Sequence, residues 1–257
     1  MCSDIDGTLT DSKGKISPAN LEAIFDFQRR GGLFTLATGR MPHHIKTLPF
    51  SPNAPVICIN GTVIYDHKKG ELLREFPLDS YYGDVIDYFD KTHGNEIVDY
   101  EAYRMDDYDL VEDGKVGDIK ERYEKSKVYK LLFRFQKSDD AYKAMTQAQE
   151  LYGDRFLFNR SWPFGLEMHS IGSGKGKGLI LLKDELCQGI HTTVSIGDYE
   201  NDICMLNTAD ISYATGNAPD HVKAKAQNIA PSHDDNAVCH VIDRLKEEIL
   251  KQSAGAD

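Results

Sequence analysis

The chain has 257 residues, 40% hydrophobic and 28% charged, with a formal net charge of −11 at pH 7, enough to bury a sizeable core in one large or two modest domains. That acidic balance leaves no basic footprint for nucleic acid or an anionic membrane surface, and no apolar run approaches the roughly 20 residues of a membrane span. Cys2, Cys58, Cys187, Cys204 and Cys239 are odd in number and contain no Cys-x-x-Cys pair, so neither disulfides nor zinc is expected and a reducing cytoplasm is.

The chain reaches an acidic turn at once, Asp4-Ile5-Asp6-Gly7-Thr8, and no signal peptide is expected ahead of it. Without a leader, Asn60-Gly61-Thr62 and Asn159-Arg160-Ser161 are not expected to carry glycans. Asp4 and Asp6 can share a face of an extended backbone or converge around Gly7. Two such carboxylates repel unless a cation lies between them or one takes a proton, and a hard cation such as Mg²⁺ suits them. An EF-hand loop starting at Asp4 would need Gly and Glu where Leu9 and Lys15 stand, so that reading fails.

Ser17-Pro18 starts a helix with Leu21, Ile24, Phe25 and Gln28 on one face, ended by Gly31-Gly32. Leu33 to Ala37 reads as a strand running into Thr38-Gly39-Arg40. Val56 to Ile59 reads as another, ending in Asn60-Gly61, and Thr62 to Tyr65 with Glu71 to Phe76 reads as a hairpin. This is the rhythm of an α/β fold with a parallel sheet, whose ligands bind beyond the carboxyl ends of the strands. From Pro77 the chain turns more charged and Tyr-rich. Helices are predicted at Ser80 to Lys91 and Ser138 to Tyr152, with strands at Glu96 to Tyr100, Val128 to Phe135, Arg155 to Phe158 and Phe164 to His169. The order suits an inserted α+β domain at 77–171, splitting a core of 1–76 and 172–257. The α/β rhythm resumes with a helix at Lys175 to Leu186, a strand at Thr192 to Ile196 and a helix at Asp202 to Leu206. A strand at Ile211 to Ala214 and helices at Pro219 to Ala226 and Asp235 to Lys251 complete the chain.

Four polar clusters thus fall at strand ends or a helix start: Asp4/Asp6, Thr38 to Arg40, Lys175, and Asp198/Asn201/Asp202. Together they spell a metal and phosphate site. Asp4 and Asp198 can hold Mg²⁺, Thr38, Lys175 and Asn201 can meet phosphate oxygens, and Asp202 can hold Lys175 in place. The Gly-rich run around Lys175 is not a nucleotide P-loop, because Gly176 stands where Ser or Thr should bind magnesium. His43-His44 reads as surface. Arg160, Trp162, Glu167 and His169, late in the inserted domain, could grip the part of a substrate that carries no phosphate, with core packing the equal alternative for Trp162.

In motif order and spacing the chain resembles the haloacid dehalogenase superfamily, specifically its Cof-type phosphatases. The resemblance rests on Asp4-Ile5-Asp6-Gly7-Thr8, Thr38-Gly39-Arg40, Lys175-Gly176, Gly197-Asp198-Tyr199-Glu200-Asn201-Asp202 and the late Gly216-Asn217-Ala218. It implies a Rossmann-like, doubly wound parallel-sheet core with an inserted α+β cap. It implies further that Asp4 attacks phosphorus to form an aspartyl-phosphate while Asp6 serves the leaving group and then water as acid and base. By the same resemblance Thr38, Gly39, Arg40, Lys175, Asn201 and Asn217 bind phosphate; Asp4, Asp198 and the Asp6 carbonyl bind Mg²⁺; and Asp202 orients Lys175. The departure is a short first strand, since only Met1-Cys2-Ser3 precede Asp4. The expected function is Mg²⁺-dependent hydrolysis of small phosphorylated metabolites (sugar phosphates, flavin mononucleotide or pyridoxal phosphate) by a monomer or homodimer, with no nucleic-acid or membrane partner. The alternatives are a phosphomutase of the same superfamily and a non-catalytic metabolite-binding module. The cap is expected to be a lid whose closure brings Arg160 to His169 over the phosphate site.

Overall fold

The computed structural model describes residues 1–112 and 126–254. Its core is a five-stranded parallel sheet in the order β13-β12-β11-β1-β2. These strands are β1 (Cys2–Ser3), β2 (Thr35–Leu36), β11 (Val194–Gly197), β12 (Ile211–Ala214) and β13 (Asn228–Ile229). The short β1 lies near the middle, Cys2 pairing with Thr35 on one side and Ser195 on the other. A parallel bridge from Ala37 to Ile57 extends the sheet to β3 (Val56–Cys58), which continues antiparallel into β4 (Val63–Asp66) and β5 (Glu71–Glu75).

Neighbouring strand residues belong to different apolar clusters, as alternating faces demand: Leu36 and Cys58 to one, Ala37 and Ile57 to the other. The first cluster is covered by α1 (Pro18–Arg29) and α8 (Ala237–Ala254), the second by α5 (Lys175–Leu181) and α6 (Ile203–Thr208). Short helices α2 (Pro42–Ile45) and α7 (Asp220–Lys223) follow β2 and β12. Ser17 caps α1 by accepting from the Asn20 amide, with Pro18 in the first turn. The buried face of α1 is turned from the one predicted: Asn20, Ala23 and Ile24 are buried, whereas Phe25 is 43% exposed. Asn20 is tolerated inside because its side chain donates to the Leu9 carbonyl at 3.2 Å and accepts from the Cys239 amide at 2.9 Å.

The inserted segment builds a five-stranded antiparallel sheet, β7-β6-β8-β10-β9. It comprises β6 (Ile97–Tyr103), β7 (Tyr108–Glu112), β8 (Lys130–Phe135), β9 (Phe156–Trp162) and β10 (Gly165–Ser170), with helices α3 (Tyr82–His93) and α4 (Ser138–Tyr152). Neither β7 nor the two-residue β13 was predicted. One face of this sheet, with Tyr100, Ala102, Phe133, Leu166 and Met168, packs on the helices. Alternation turns Glu101, Tyr103, Lys130, Leu132, Arg134 and Glu167 to the other face, where they and Asp4 line one cavity. On either side of Pro77, Phe76 donates its amide to the Thr62 carbonyl and Leu78 donates its amide to the Val128 carbonyl.

Candidate active site

Asp4 leaves β1 as the strand ends, its amide donating to the Ile196 carbonyl at 3.0 Å. Three positions on, Gly7 turns the backbone at φ +79°, and a Cβ there would lie 2.4 Å from an Asp198 oxygen. Glycine therefore serves both the left-handed turn and the close approach of the two acidic loops. Lys175, the first residue of α5, is 1% exposed. Its ammonium donates to Asp4 Oδ1 at 2.7 Å and Asp202 Oδ1 at 2.6 Å. The other oxygen of Asp202 accepts from the amides of Asp198 and Tyr199 at 2.9 and 3.2 Å. Thr8 donates its hydroxyl to Asp198 Oδ1 at 2.8 Å.

Asp4, Asp198 and Asp202 bring oxygens within 4.8 Å of one another. Burial raises the Asp4 carboxyl well above its ordinary value, opposed by Lys175 and reinforced by Asp202 and Asp198. Burial and Asp202 likewise push Asp198 up to about 7. Burial alone would depress Lys175, but Asp202 and Asp4 more than offset it, so its pKa lies above the ordinary value and the ammonium stays charged. Three carboxylates thus face a single ammonium, and both oxygens of Asp202 are already engaged by Lys175 and backbone amides. Asp4 and Asp198 keep acceptor capacity in a site short of positive charge, a donor set that fits a hard divalent cation such as Mg²⁺.

Asp6 lines the same cavity as Asp4 but is far less enclosed. Its side chain is 61% exposed and is gripped by the Arg40 guanidinium, Nε at 2.8 Å and Nη2 at 2.5 Å. Thr38 is buried beside it, its hydroxyl oxygen accepting from the Arg40 amide at 3.1 Å. Asp4, Asp6, Gly39, Arg40, Asp198 and Asn201 lie together on the core side of a cavity of about 560 Å³, with Trp162, Glu167 and the cap strands opposite. His44 lines its edge rather than a free surface, its ring 4.0 Å from that of His43.

Six predicted residues do not line the cavity: Thr38, Lys175 and Asp202, which are fully buried, and Asn217, Arg160 and His169. Asn217 is exposed and steadies the Gly7 loop, its amide donating to the Gly7 carbonyl and its oxygen accepting from the His233 amide, each at 2.9 Å. Arg160 forks Glu200 in the loop after β11, at 2.8 and 2.5 Å, so it ties cap to core. His169 is buried, and burial pushes its pKa down to about 4. Its ring nitrogens meet Asn159 at 2.9 Å and Ser173 at 2.7 Å. Because Ser173 donates its own hydroxyl to Ser170, the network assigns a neutral imidazole with its proton on Nδ1. Sequence reasoning missed Asn60, Lys130 and Tyr103. A polar residue just past a buried strand, as Asn60 is two residues after β3, was the available signal, and it was absorbed into a turn.

A family model described as haloacid dehalogenase-like hydrolase matches residues 1–242. Among curated relatives, the 5-amino-6-(5-phospho-D-ribitylamino)uracil phosphatase YwtE of Bacillus subtilis is 29% identical, aligned over 94% of this chain and 96% of its own. The pyridoxal phosphate phosphatase YbhA of Escherichia coli is 24% identical over 93% and 95%. Among solved structures, a haloacid dehalogenase-like hydrolase from B. subtilis superposes with a TM-score of 0.79 at 22% identity, covering 95% of this chain and 99% of that one. The subclass IIB sugar phosphatase BT4131 gives 0.77 at 19%, covering 95% and 98%. Among the described residues no helix is long and apolar enough to cross a membrane.

Proposed function

From the premise that this chain belongs to the haloacid dehalogenase-like hydrolase family, we propose that it is a Mg²⁺-dependent phosphatase of small phosphorylated metabolites, working through an aspartyl-phosphate. The observation that carries the proposal is the buried Asp4, held by Lys175 at 2.7 Å and clustered with Asp198, while Asp6 stands exposed beside it.

In this reading an Asp4 oxygen forms a bond to phosphorus as the ester P–O bond breaks. Asp6 gives its proton to the departing alkoxide. Asp6, now a carboxylate, takes a proton from water as that water attacks the phosphorus, releasing phosphate and restoring Asp4. Thr38, Lys175 and Asn201 hold phosphate oxygens, and Asp202 keeps Lys175 aimed. Bound Mg²⁺, held by Asp4, Asp198 and the Asp6 carbonyl, supplies the positive charge that screens nucleophile from phosphate. The relatives' names supply the substrate class: a ring or polyol bearing one phosphate. Aromatic Tyr103, Tyr108 and Trp162 among charged Glu101 and Arg134 suit the distal part of such a molecule.

The test is phosphate release from a panel of sugar phosphates, flavin mononucleotide and pyridoxal phosphate. Turnover is expected to need Mg²⁺ and to fall with Ca²⁺, which takes more ligands at longer distance. Trp162→Ala is expected to reorder the panel more than it changes turnover of p-nitrophenyl phosphate. Robust activity in excess chelator would refute the metal assignment, and an unchanged ranking the role of Trp162.

A second expectation concerns stability. In metal-free protein the folded state holds the Asp198 proton up to about pH 7, against an ordinary carboxylate value of 3.8. The native state therefore binds more protons than the unfolded chain between those values, and this group's contribution to stability falls as pH rises through the window. Mg²⁺ needs the deprotonated ligands, so the rise in Tm on adding it should grow from pH 5 to pH 8. An increment constant with pH in a thermal-shift series would contradict the assignment.

A further inference from the structure

A buried hydrogen-bond chain crosses from the cap into the phosphate-binding loops, and Asn60 is its crossing point. On the cap side, Lys130 and Glu167 are each 3% exposed and pair at 2.9 Å from neighbouring strands β8 and β10. The Lys130 ammonium also lies 3.4 Å from the Gly39 carbonyl and 4.1 Å from the centre of the Tyr103 ring. Glu167 has a second oxygen, which accepts from Asn60 Nδ2 at 2.7 Å.

On the core side, Asn60 is 1% exposed and sits in the left-handed region at φ +54°, ψ 30°. Its backbone amide donates to the Thr38 carbonyl at 2.9 Å. Its side-chain oxygen accepts from Asn201 Nδ2 at 3.4 Å. These contacts fix its orientation, because only the NH₂ end can face the Glu167 carboxylate and only the oxygen can face the NH₂ of Asn201. Asn201 spends one hydrogen on Asn60 and keeps the other for a ligand. The turn itself has no slack: at Gly61, φ +89°, a Cβ would meet the carbonyl oxygen of Gly174 at 2.3 Å, one residue before Lys175.

We infer that Asn60 is a positioning residue that couples cap docking to the phosphate site: through one side chain it receives Glu167 of the cap and aims Asn201, while its backbone braces the Thr38 loop. The phosphate-binding half of the site is then complete only when the Lys130–Glu167 pair is seated on the core. Because a buried carboxylate is costly without its donors, seating favours the arrangement in which Asn60 is present and correctly turned. This rests on the phosphatase reading above, since the group being aimed is the proposed phosphate ligand Asn201.

The test uses Asn60→Gly, which keeps a backbone that tolerates positive φ and removes only the amide, and Glu167→Gln, which keeps the shape but can satisfy only one of Lys130 and Asn60 with its single oxygen. Both are compared with the parent on p-nitrophenyl phosphate and on the best metabolite of the panel. In parallel, acrylamide quenching of Trp162, the chain's single tryptophan and part of the cavity wall, reports cap seating with and without orthovanadate in Mg²⁺. Each variant is expected to lose about tenfold or more in kcat on both substrates, and the double variant to be no worse than the poorer single, because the two act through one contact. Trp162 should become more accessible in both variants, and orthovanadate should no longer shield it. Full kcat in Asn60→Gly, a double variant whose loss is the product of the singles, or parental quenching in both singles would each overturn the inference. Asp4→Asn run alongside separates the two readings: an active Asp4→Asn refutes the covalent phosphatase, whereas an inactive Asp4→Asn beside a fully active Asn60→Gly refutes only the role of Asn60.

Discussion

Asp4→Asn is expected to lower phosphate release by at least about a thousandfold, roughly 4 kcal/mol of lost transition-state stabilisation, with the fold intact. The amide keeps a carbonyl oxygen that can still accept from the Lys175 ammonium, now 2.7 Å from Asp4 Oδ1. It cannot form an acyl-phosphate. It also removes a buried charge that its surroundings disfavour, because burial and the carboxylates of Asp202 and Asp198 hold the Asp4 pKa well above normal. The melting temperature of the metal-free variant should therefore equal or exceed that of the parent. Turnover within tenfold of the parent would refute the covalent mechanism, and a variant that is inactive because it is unfolded would show that Asp4 is structural.

Lys175→Met is expected to cost both activity and stability. The ammonium is fully enclosed and is the shared partner of Asp4 and Asp202. Removing one member of such a buried set strands the others, at about 3–5 kcal/mol. For a chain of this size that is a fall in Tm on the order of 10 °C. The deficit has a pH signature. Without the ammonium that opposes it, burial holds the Asp4 proton still more tightly in the folded state, so the variant should be closest to the parent near pH 5 and furthest below it near pH 8. A melting curve within a few degrees of the parent at pH 8 would mean that the lysine is held for chemistry alone.

What could be read from the sequence follows from where the chain's information is local. Asp4, Thr38 and Asp198 each come directly after a short apolar run, and Lys175 opens a helix after glycines, so the rule that ligands gather at the carboxyl ends of parallel strands was enough to assemble them. Phe25 was misplaced because helical periodicity defines a stripe but not which flank of it α8 covers; a bonded Asn20 moved the stripe. Strands β7 and β13 escaped because one is turn-flanked and polar and the other spans only two residues. Lys130, and the burial of Glu167 beside it, were hidden for a different reason. Leu166-Glu167-Met168 alternates correctly, but nothing local says that the polar face of this sheet is also buried, which depends on another domain docking there. Arg160 was expected to read substrate on the same grounds, and its partner Glu200 is likewise supplied only by the docked core.

The placement of β1 bears on how the molecule comes into being. Cys2 and Ser3 are flanked by Thr35 and Leu36 on one side but by Ser195 and Ile196 on the other, so half the ladder leading to Asp4 emerges from the ribosome only after the inserted sheet has been made. The cap is contiguous, carries its own apolar cluster and can collapse as soon as it is synthesised. Until Val194 to Gly197 arrive, the early strands β1 and β2 wait with an open edge, and loop-closure entropy sets the pace of their capture. A truncation between β10 and β11 would therefore keep the whole apolar cluster of the cap but leave the parallel sheet without β11, β12 and β13.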